Sequence, residues 1–507
     1  MSIRLLVNSF TCLLVTRLLV TRHLSLVTYL RMKTLYIILL GALCFPVVGR
    51  SQATQISYFM ENASMRTFLN PALHPNQGYL AFPALGNFYV NMNTNTLNLD
   101  HFTFYKDGNY LFFMNENISA DEFLRNISIN NYLDLEVNAG LLSAGWYAGE
   151  GFWNVDLSLR MFAGVNIPKS FFKLAKEGFG VEKKKVFDLS NVDVSTTIFT
   201  ELGVGYSLTF LDGAIKAGFR GKFLTGNENF DFKVRSLSLE TGEEDWIVHS
   251  NSQIQMSGQM LKAKYDEDKI FNEIAYNKFI LPPSGYGLGF DIGVEYDLSH
   301  LSDFFKGTPA DILSRMKVSL ALIDVGYIRW SKYSAAIRSQ GIGRIDPNNL
   351  SFDFNDNNNS LKDHLEGILS SLKKGIEFRE DMTPPHSSIT SLYSKLNAGI
   401  IYEVWKDKLS IGLLSSTAFL PYHTQTELTL SANYQPLKWL GIAAGHSFIH
   451  GRFKTFCFAL HIAPVLGLNL FIASDYLIPH VNPDFIPTTT KVANVQLGIT
   501  IPIGEKR

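Results

Sequence analysis

The sequence predicts an all-β protein, a transmembrane antiparallel β-barrel of about 14 (14–16) strands with short helical inserts. Three observations carry this. Between residues 133 and 502, segments of roughly ten residues repeatedly place an apolar side chain at every second position. The intervening positions carry charges of both signs, which a packed soluble core does not accept. Tight turns flanked by Trp and Tyr alternate with long connections.

The last strand shows the alternation most cleanly. Ala493, Val495, Leu497, Ile499 and Ile501 fall on one face, and Asn494, Gln496, Gly498 and Thr500 on the other. The same reading sets Asp134, Glu136 and Asn138 against Leu135, Val137 and Ala139. Asn154, Asp156, Ser158 and Arg160 alternate with Val155, Leu157, Leu159 and Met161. Lys216, Gly218, Arg220 and Lys222 alternate with Ala217 and Phe219. Gly289, Asp291, Gly293 and Glu295 alternate with Phe290, Ile292, Val294 and Tyr296, and Glu427, Thr429, Ser431 and Asn433 with Leu428, Leu430, Ala432 and Tyr434. One greasy and one polar face suit a closed sheet with lipid outside and a polar lumen inside. A soluble β-sandwich also alternates, but the long strands and the aromatics beside the turns favour the barrel. Arg160, Arg220, Lys222, Asp291, Glu295 and Glu427 are the lumen candidates. An Arg at Thr429 is then expected to be mild, and one at Leu430 costly.

Tight turns fall at Gly149-Glu150-Gly151, Asp212-Gly213, Lys406-Asp407-Lys408 and Pro436-Leu437-Lys438, with Trp146, Trp153, Trp405 and Trp439 beside them. Long connections run over about 166–195, 259–284, 331–393 and 476–490. An even strand count with short turns at one end places both termini on the periplasmic side.

The N-terminus points to export. Met32 opens a secretory signal, with Lys33 as its charged region, Leu35–Val48 as its apolar region and Ser51-Gln52-Ala53 as its cleavage site. Residues 1–31 repeat Leu-Leu-Val-Thr-Arg at 13–17 and 18–22 and read as an upstream gene-model artefact, or else as an unusually long charged region. The organisation expected is a signal peptide over 32–53, an N-terminal segment over 54–83, and a barrel over 84–505 with a long extracellular insert at 331–393. Leu43 before Cys44 argues against lipidation, and Cys457 alone remains in the mature chain, so it has no intrachain disulfide. Net charge is −1, which gives no electrostatic case for nucleic acid.

Helical inserts are expected at Pro168–Gly178, at 302–316 and after Ser360, whose stripe is Leu361, Leu365, Ile368, Leu369, Leu372 and Ile376. Asn355–Asn359 reads as a solvated polar loop. No nucleophile elbow, paired-histidine zinc motif or P-loop occurs. His446 and His450 on a strand lie about 13 Å apart and cannot share an ion. No catalytic residue, metal ligand or cofactor is assigned, and the chain is not read as an enzyme.

Phe68-Leu69-Asn70-Pro71-Ala72-Leu73 precedes the first strand. This Asn-Pro-Ala motif resembles the N-terminal segment of long-chain fatty-acid transporter (FadL-like) barrels and of type IX secretion shuttle barrels. Gly78-Tyr79, Pro83, Leu85-Gly86-Asn87, the Pro168 helix and Ile323-Asp324-Val325-Gly326-Tyr327-Ile328-Arg329-Trp330 resemble more closely an uncharacterised outer-membrane barrel family of Gram-negative Bacteroidota, a domain of unknown function. The resemblance implies fourteen strands and an N-terminal plug, with Asn70, Pro71 and Ala72 as plug candidates beside glycines 287, 289 and 293. From the residues alone, Asn70-Pro71 serves equally well as a lead-in to strand one. The chain ends without the terminal aromatic that many such barrels carry.

The resemblance implies transport or binding of a small, hydrophobic molecule, with outer-membrane lipid as surroundings. The competing reading is an interaction barrel, a secretion shuttle or surface scaffold with a protein partner.

Overall fold

The computed structural model describes residues 53–505 apart from 84, 107, 178–184, 243–245, 259–282, 301–307, 332–333, 346–376, 382–386, 421–422, 438, 450–451, 466 and 478–490. The signal segment, the Asn355–Asn359 loop and the helix expected after Ser360 lie outside the described residues.

Fourteen antiparallel strands close into one barrel. The first, β1, is built of two pieces, Gln77–Ala81 and Phe88–Thr94. The others are β2 (Asn130–Ala148), β3 (Gly151–Pro168), β4 (Asp193–Phe210), β5 (Ile215–Thr241), β6 (Gly285–Asp297) and β7 (Met316–Trp330). They continue as β8 (Lys395–Trp405), β9 (Leu409–Phe419), β10 (Thr424–Leu437), β11 (Leu440–Ile449), β12 (Arg452–Val465), β13 (Leu468–Leu477) and β14 (Val492–Glu505). Closure is made by β1, which pairs with β2 on one side and β14 on the other. Val90 lies opposite Val137 and Val495, and Gln77 opposite Glu505. The first strand therefore already starts at Gln77 rather than at 84, and both ends of the barrel chain meet at one rim.

The gap in β1 falls at Pro83, which lacks a ladder donor. The ladder is carried past it by Phe82 N–H donating to Ile499 O (2.9 Å) and Ile499 N–H donating to Leu85 O (2.9 Å). A Cβ on Gly86 would stand 2.3 Å from that of Ala81, so this fold-back requires glycine.

The alternation read from the sequence becomes inside and outside. On β10, Leu428 and Leu430 face outward and Glu427, Thr429 and Ser431 are buried in the lumen. Trp146, Trp153, Tyr206, Trp405, Tyr434 and Trp439 are exposed beside the short turns, forming one interfacial girdle. At that end the turns hold left-handed residues, with Asp212 at φ 53° and Asp407 at φ 57°.

The opposite rim departs from the expectation of uniformly long connections. The links after β9 and β11 are short, and the long connection 95–129 had not been anticipated. The latter folds as helix Leu99–Phe102, hairpin Thr103–Lys106/Asn109–Phe112 and helix Ala120–Leu124. It packs on helix Lys169–Glu177 through Phe102, Phe113, Phe123 and Phe172. Lys106 Nζ donates to Glu122 at 2.7 Å and holds that carboxyl below its ordinary pKa.

Strand β5 has 27 residues, roughly 90 Å at strand rise, far beyond the hydrocarbon thickness. Its outer half pairs with Trp246–Ser257, which pairs with Ser334–Ile345, itself paired with Glu377–Asp381. The insert 331–393 thus contributes strands to a sheet above the barrel. Of the expected 302–316 helix, Thr308–Leu313 is described, and it lies at the short-turn end.

Among the described residues, lumen-facing side chains are packed against one another. Thr429 is 1% exposed and shares a 2.7 Å hydrogen bond with Ser447, so an Arg there does not meet water as the sequence reading expects. Leu430→Arg is expected to cost about 2–4 kcal/mol by placing charge in lipid. Thr429→Arg is expected to cost about 1–3 kcal/mol by overpacking. Urea unfolding of vesicle-folded barrel measures both, with Leu430→Ala as the mild control.

Candidate functional site

The site is the lumen and the chain segment that occupies it. Residues 53–73 contain two short 3₁₀ turns, Gln55–Phe59 and Ser64–Phe68, and nearly all of their side chains are buried. Ile56, Tyr58, Phe59, Met65, Phe68 and Leu69 form one cluster with Leu414, Ala443, Cys457, Ala459, Phe471 and Ala473. These last six belong to β9 and β11–β13, so that arc of the lumen wall is apolar, and four of the six side chains are small. The polar lumen read from the alternation is apolar along this arc. Each large apolar side chain so covered contributes about 1.5–3 kcal/mol to keeping the segment docked.

Polar contacts fix its register. Asp475 accepts hydrogen bonds from Gln55 N–H and Ile56 N–H, both at 2.8 Å. Gln496 accepts from Thr54 N–H at 2.8 Å, and Asn397 Nδ2 donates to Leu69 O at 2.8 Å. Asn70 Nδ2 donates to Tyr58 Oη at 3.0 Å, and Ala72 N–H donates to Asn70 Oδ1 at 2.9 Å, closing an Asx turn that Pro71 stiffens. Glycines on the wall make room. A Cβ on Gly293 would lie 2.0 Å from Asn70 Oδ1, one on Gly218 2.2 Å from Pro71 C, and one on Gly412 2.2 Å from the Phe59 ring. Of the three glycines singled out from the sequence, Gly293 receives the segment. Gly287 and Gly289 lie instead against Tyr327, Ile328, Val325 and Leu392.

The other arc, β3 to β7, carries a buried ion network. Arg160 donates to both carboxylate oxygens of Asp324 at 2.8 Å and also pairs with Glu201. Arg220 pairs with Asp156 and donates to Glu201 at 2.9 Å. Lys222 lies 2.6 Å from Asp291 and 2.6 Å from Asp324. Three cations and four carboxylates leave a formal charge of −1, with every member at most 3% exposed. The guanidinium of Arg220 also lies 4.6 Å from the centre of the Phe68 ring, so the network touches the N-terminal segment.

Asp324 enters through a bulge. Phe290 pairs with Val325 but Ile292 with Leu322, so Asp291 faces two residues, Ile323 and Asp324. Asp324 takes φ 57°, and its N–H donates to Asp291 Oδ1 at 2.6 Å. Lumen candidates Arg160, Arg220, Lys222 and Asp291 are brought together. Glu295 stands apart with Lys216 at 2.7 Å. Glu427 accepts from Tyr476 Oη at 2.5 Å, on the far side of the lumen. The sequence reading missed Glu201 and Asp324 as site residues. Glu201 was legible, because Thr197, Glu201 and Ser207 share the buried face of β4. Asp324 was not, because the bulge breaks the alternation that would have placed it.

Removing one member leaves its partners buried and uncompensated, which typically costs about 3–5 kcal/mol. Arg160→Met is expected to lower barrel stability by that order, and the double variant Arg160→Met/Glu201→Gln to recover part of it. Urea unfolding in vesicles provides the measurement.

Several solved barrels are similar to this chain. A TodX deltaS2S3 mutant monoaromatic hydrocarbon channel is 10% identical with a TM-score of 0.40, over 91% of this chain and 100% of that one. The toluene transporter TodX of Pseudomonas putida is 8% identical with a TM-score of 0.34, over 90% and 98%. A Pseudomonas aeruginosa FadL homologue is 10% identical with a TM-score of 0.35, over 87% and 93%. No curated protein matches the chain. Residues 71–475 match the family described as Family of unknown function (DUF5723), and the chain belongs to that family.

Proposed function

We propose that the protein is an outer-membrane channel for a small molecule, held closed by its own N-terminal segment. The supporting observation is the seating of residues 53–73, which occupy the lumen through contacts with both arcs of the wall. No disulfide fastens them, since the one described cysteine, Cys457, is free. A plug docked only by packing and hydrogen bonds can be displaced without breaking a covalent bond. In this reading the signal segment directs export, mature residues begin at Thr54, and the short-turn rim with both chain ends faces the periplasm.

The proposed cargo has a hydrophobic body, as the sequence resemblance implies. Its support here is the aromatic cap at the long-loop rim, where Tyr105, Tyr110 and Ile129 remain exposed around the buried phenylalanine cluster. Such a surface concentrates apolar solutes above the barrel mouth.

Deletion of Thr54–Leu73 with β1 retained is expected to raise single-channel conductance in planar bilayers severalfold. Gly218→Val, whose side chain meets the Pro71 backbone, is expected to raise it partway. Folded barrels of both variants with unchanged conductance would overturn the reading.

A further inference from the structure

Above the docked segment, a cavity of about 50 Å³ remains near the long-loop rim. Its floor includes Ala53, Gln55 and Leu69, and its wall is set by β1, β2, β7–β10, β13 and β14. Such a volume holds a few waters or one small polar head, not a whole hydrocarbon.

The lining is strongly unbalanced in charge. Asp134, Glu136, Asp324, Glu427 and Asp475 face it, with Lys395 as the one cation among the described lining residues. Asp324 is held by Arg160 and Lys222, and Lys395 lies 3.5 Å from Glu136. That leaves Asp134, Glu427 and Asp475. Glu427 is served by the Tyr476 hydroxyl, and Asp475 by two backbone N–H groups and Asn494.

Asp134 is the decisive residue. It is 1% exposed, lines the cavity, and neither carboxylate oxygen has a hydrogen-bond partner among the described residues. The nearest basic group is His423, whose Nε2 lies 3.5 Å away without a hydrogen bond to either oxygen. Left without a partner, a carboxyl buried in this way keeps its proton; a bound cation, or several donors, is what makes the ionised form favourable there. Tyr89 and Tyr476 line the same cavity, and aromatic walls suit a desolvated ammonium.

We propose that this cavity is a binding site for the ammonium head of a small organic amine, with Asp134 as its counter-ion and the alkyl or aryl body directed past Ala418 and Leu420 toward the long-loop rim. The proposal rests on the channel reading and gives its cargo a charge, joining a hydrophobic body to a cationic head.

The test uses the full mature chain in nanodiscs, with empty nanodiscs subtracted, and calorimetric titration of hexylammonium, hexanol and hexanoate. Hexylammonium is expected to bind saturably and at least tenfold more tightly than hexanol, with hexanoate weakest. Asp134→Asn is expected to weaken hexylammonium at least tenfold. Lys395→Gln, which frees Glu136, is expected to tighten it severalfold and carries the test if Asp134→Asn does not fold. Equal affinity for hexanol, a preference for hexanoate, no binding of any probe, or folded variants with unaltered affinity would each overturn the site. Absence of amine binding by the full chain, together with pore opening on deletion of Thr54–Leu73, rejects the amine alone. A bound amine with no effect of that deletion rejects the channel and keeps the site.

Discussion

Everything in this molecule depends on the pairing of β1 with β14. Lipid offers no donor or acceptor to an unpaired strand edge, so a sheet in a bilayer persists only when its first and last strands find each other. Here that seam is also the least regular part of the ladder. Pro83 removes a donor, and the chain folds back through Gly86 and resumes at Phe88. The seam stays closed because the backbone of β14 bonds across the gap and Gln496 Nε2 donates to Asn87 Oδ1 at 2.9 Å.

Closure creates an interior, and the two arcs of that interior solve its filling differently. On β9 and β11–β13 the wall is apolar, with Ala443, Cys457, Ala459 and Ala473 and Gly412 leaving room between Leu414 and Phe471 for the aromatic and aliphatic side chains of residues 56–69. On β3–β7 the wall is ionic, and seven charged groups neutralise one another to within one unit. Buried ion pairs of this kind add little net stability but penalise any arrangement that separates them. The ionic arc therefore acts as a rigid template and the apolar arc as the adhesive surface. Phe68 on Arg220 is where the two meet.

The same division explains the character of the space left over. Toward the long-loop end, the backbone N–H and the hydroxyl of Thr54 both donate to Gln496. Beyond it the wall carries carboxylates in excess of cations. The cavity left near that rim is small and negatively biased, so charge bears on what can enter it as much as shape does. The exposed aromatics of the long-loop rim lie above it and the carboxylates below.

The sequence by itself determined the barrel, the facing of its best strands, the girdle, the tight turns and the joint rim of the two chain ends. Those properties are local, because strand period and turn chemistry are written in consecutive residues. Arg160, Arg220, Lys222, Asp291, Glu295 and Glu427 were placed inside by the same alternation. Which of them meet was decided only by the tertiary structure, because register between strands far apart in sequence sets those distances. Asp324 joins the network through a left-handed bulge that no periodicity encodes, and Glu295 and Glu427 fall outside it. The seating of Asn70-Pro71-Ala72 against Gly218 and Gly293 likewise needed the closed barrel. Two glycines about seventy-five residues apart become one recess only when β5 and β6 pair, with Gly218 directly opposite Gly293.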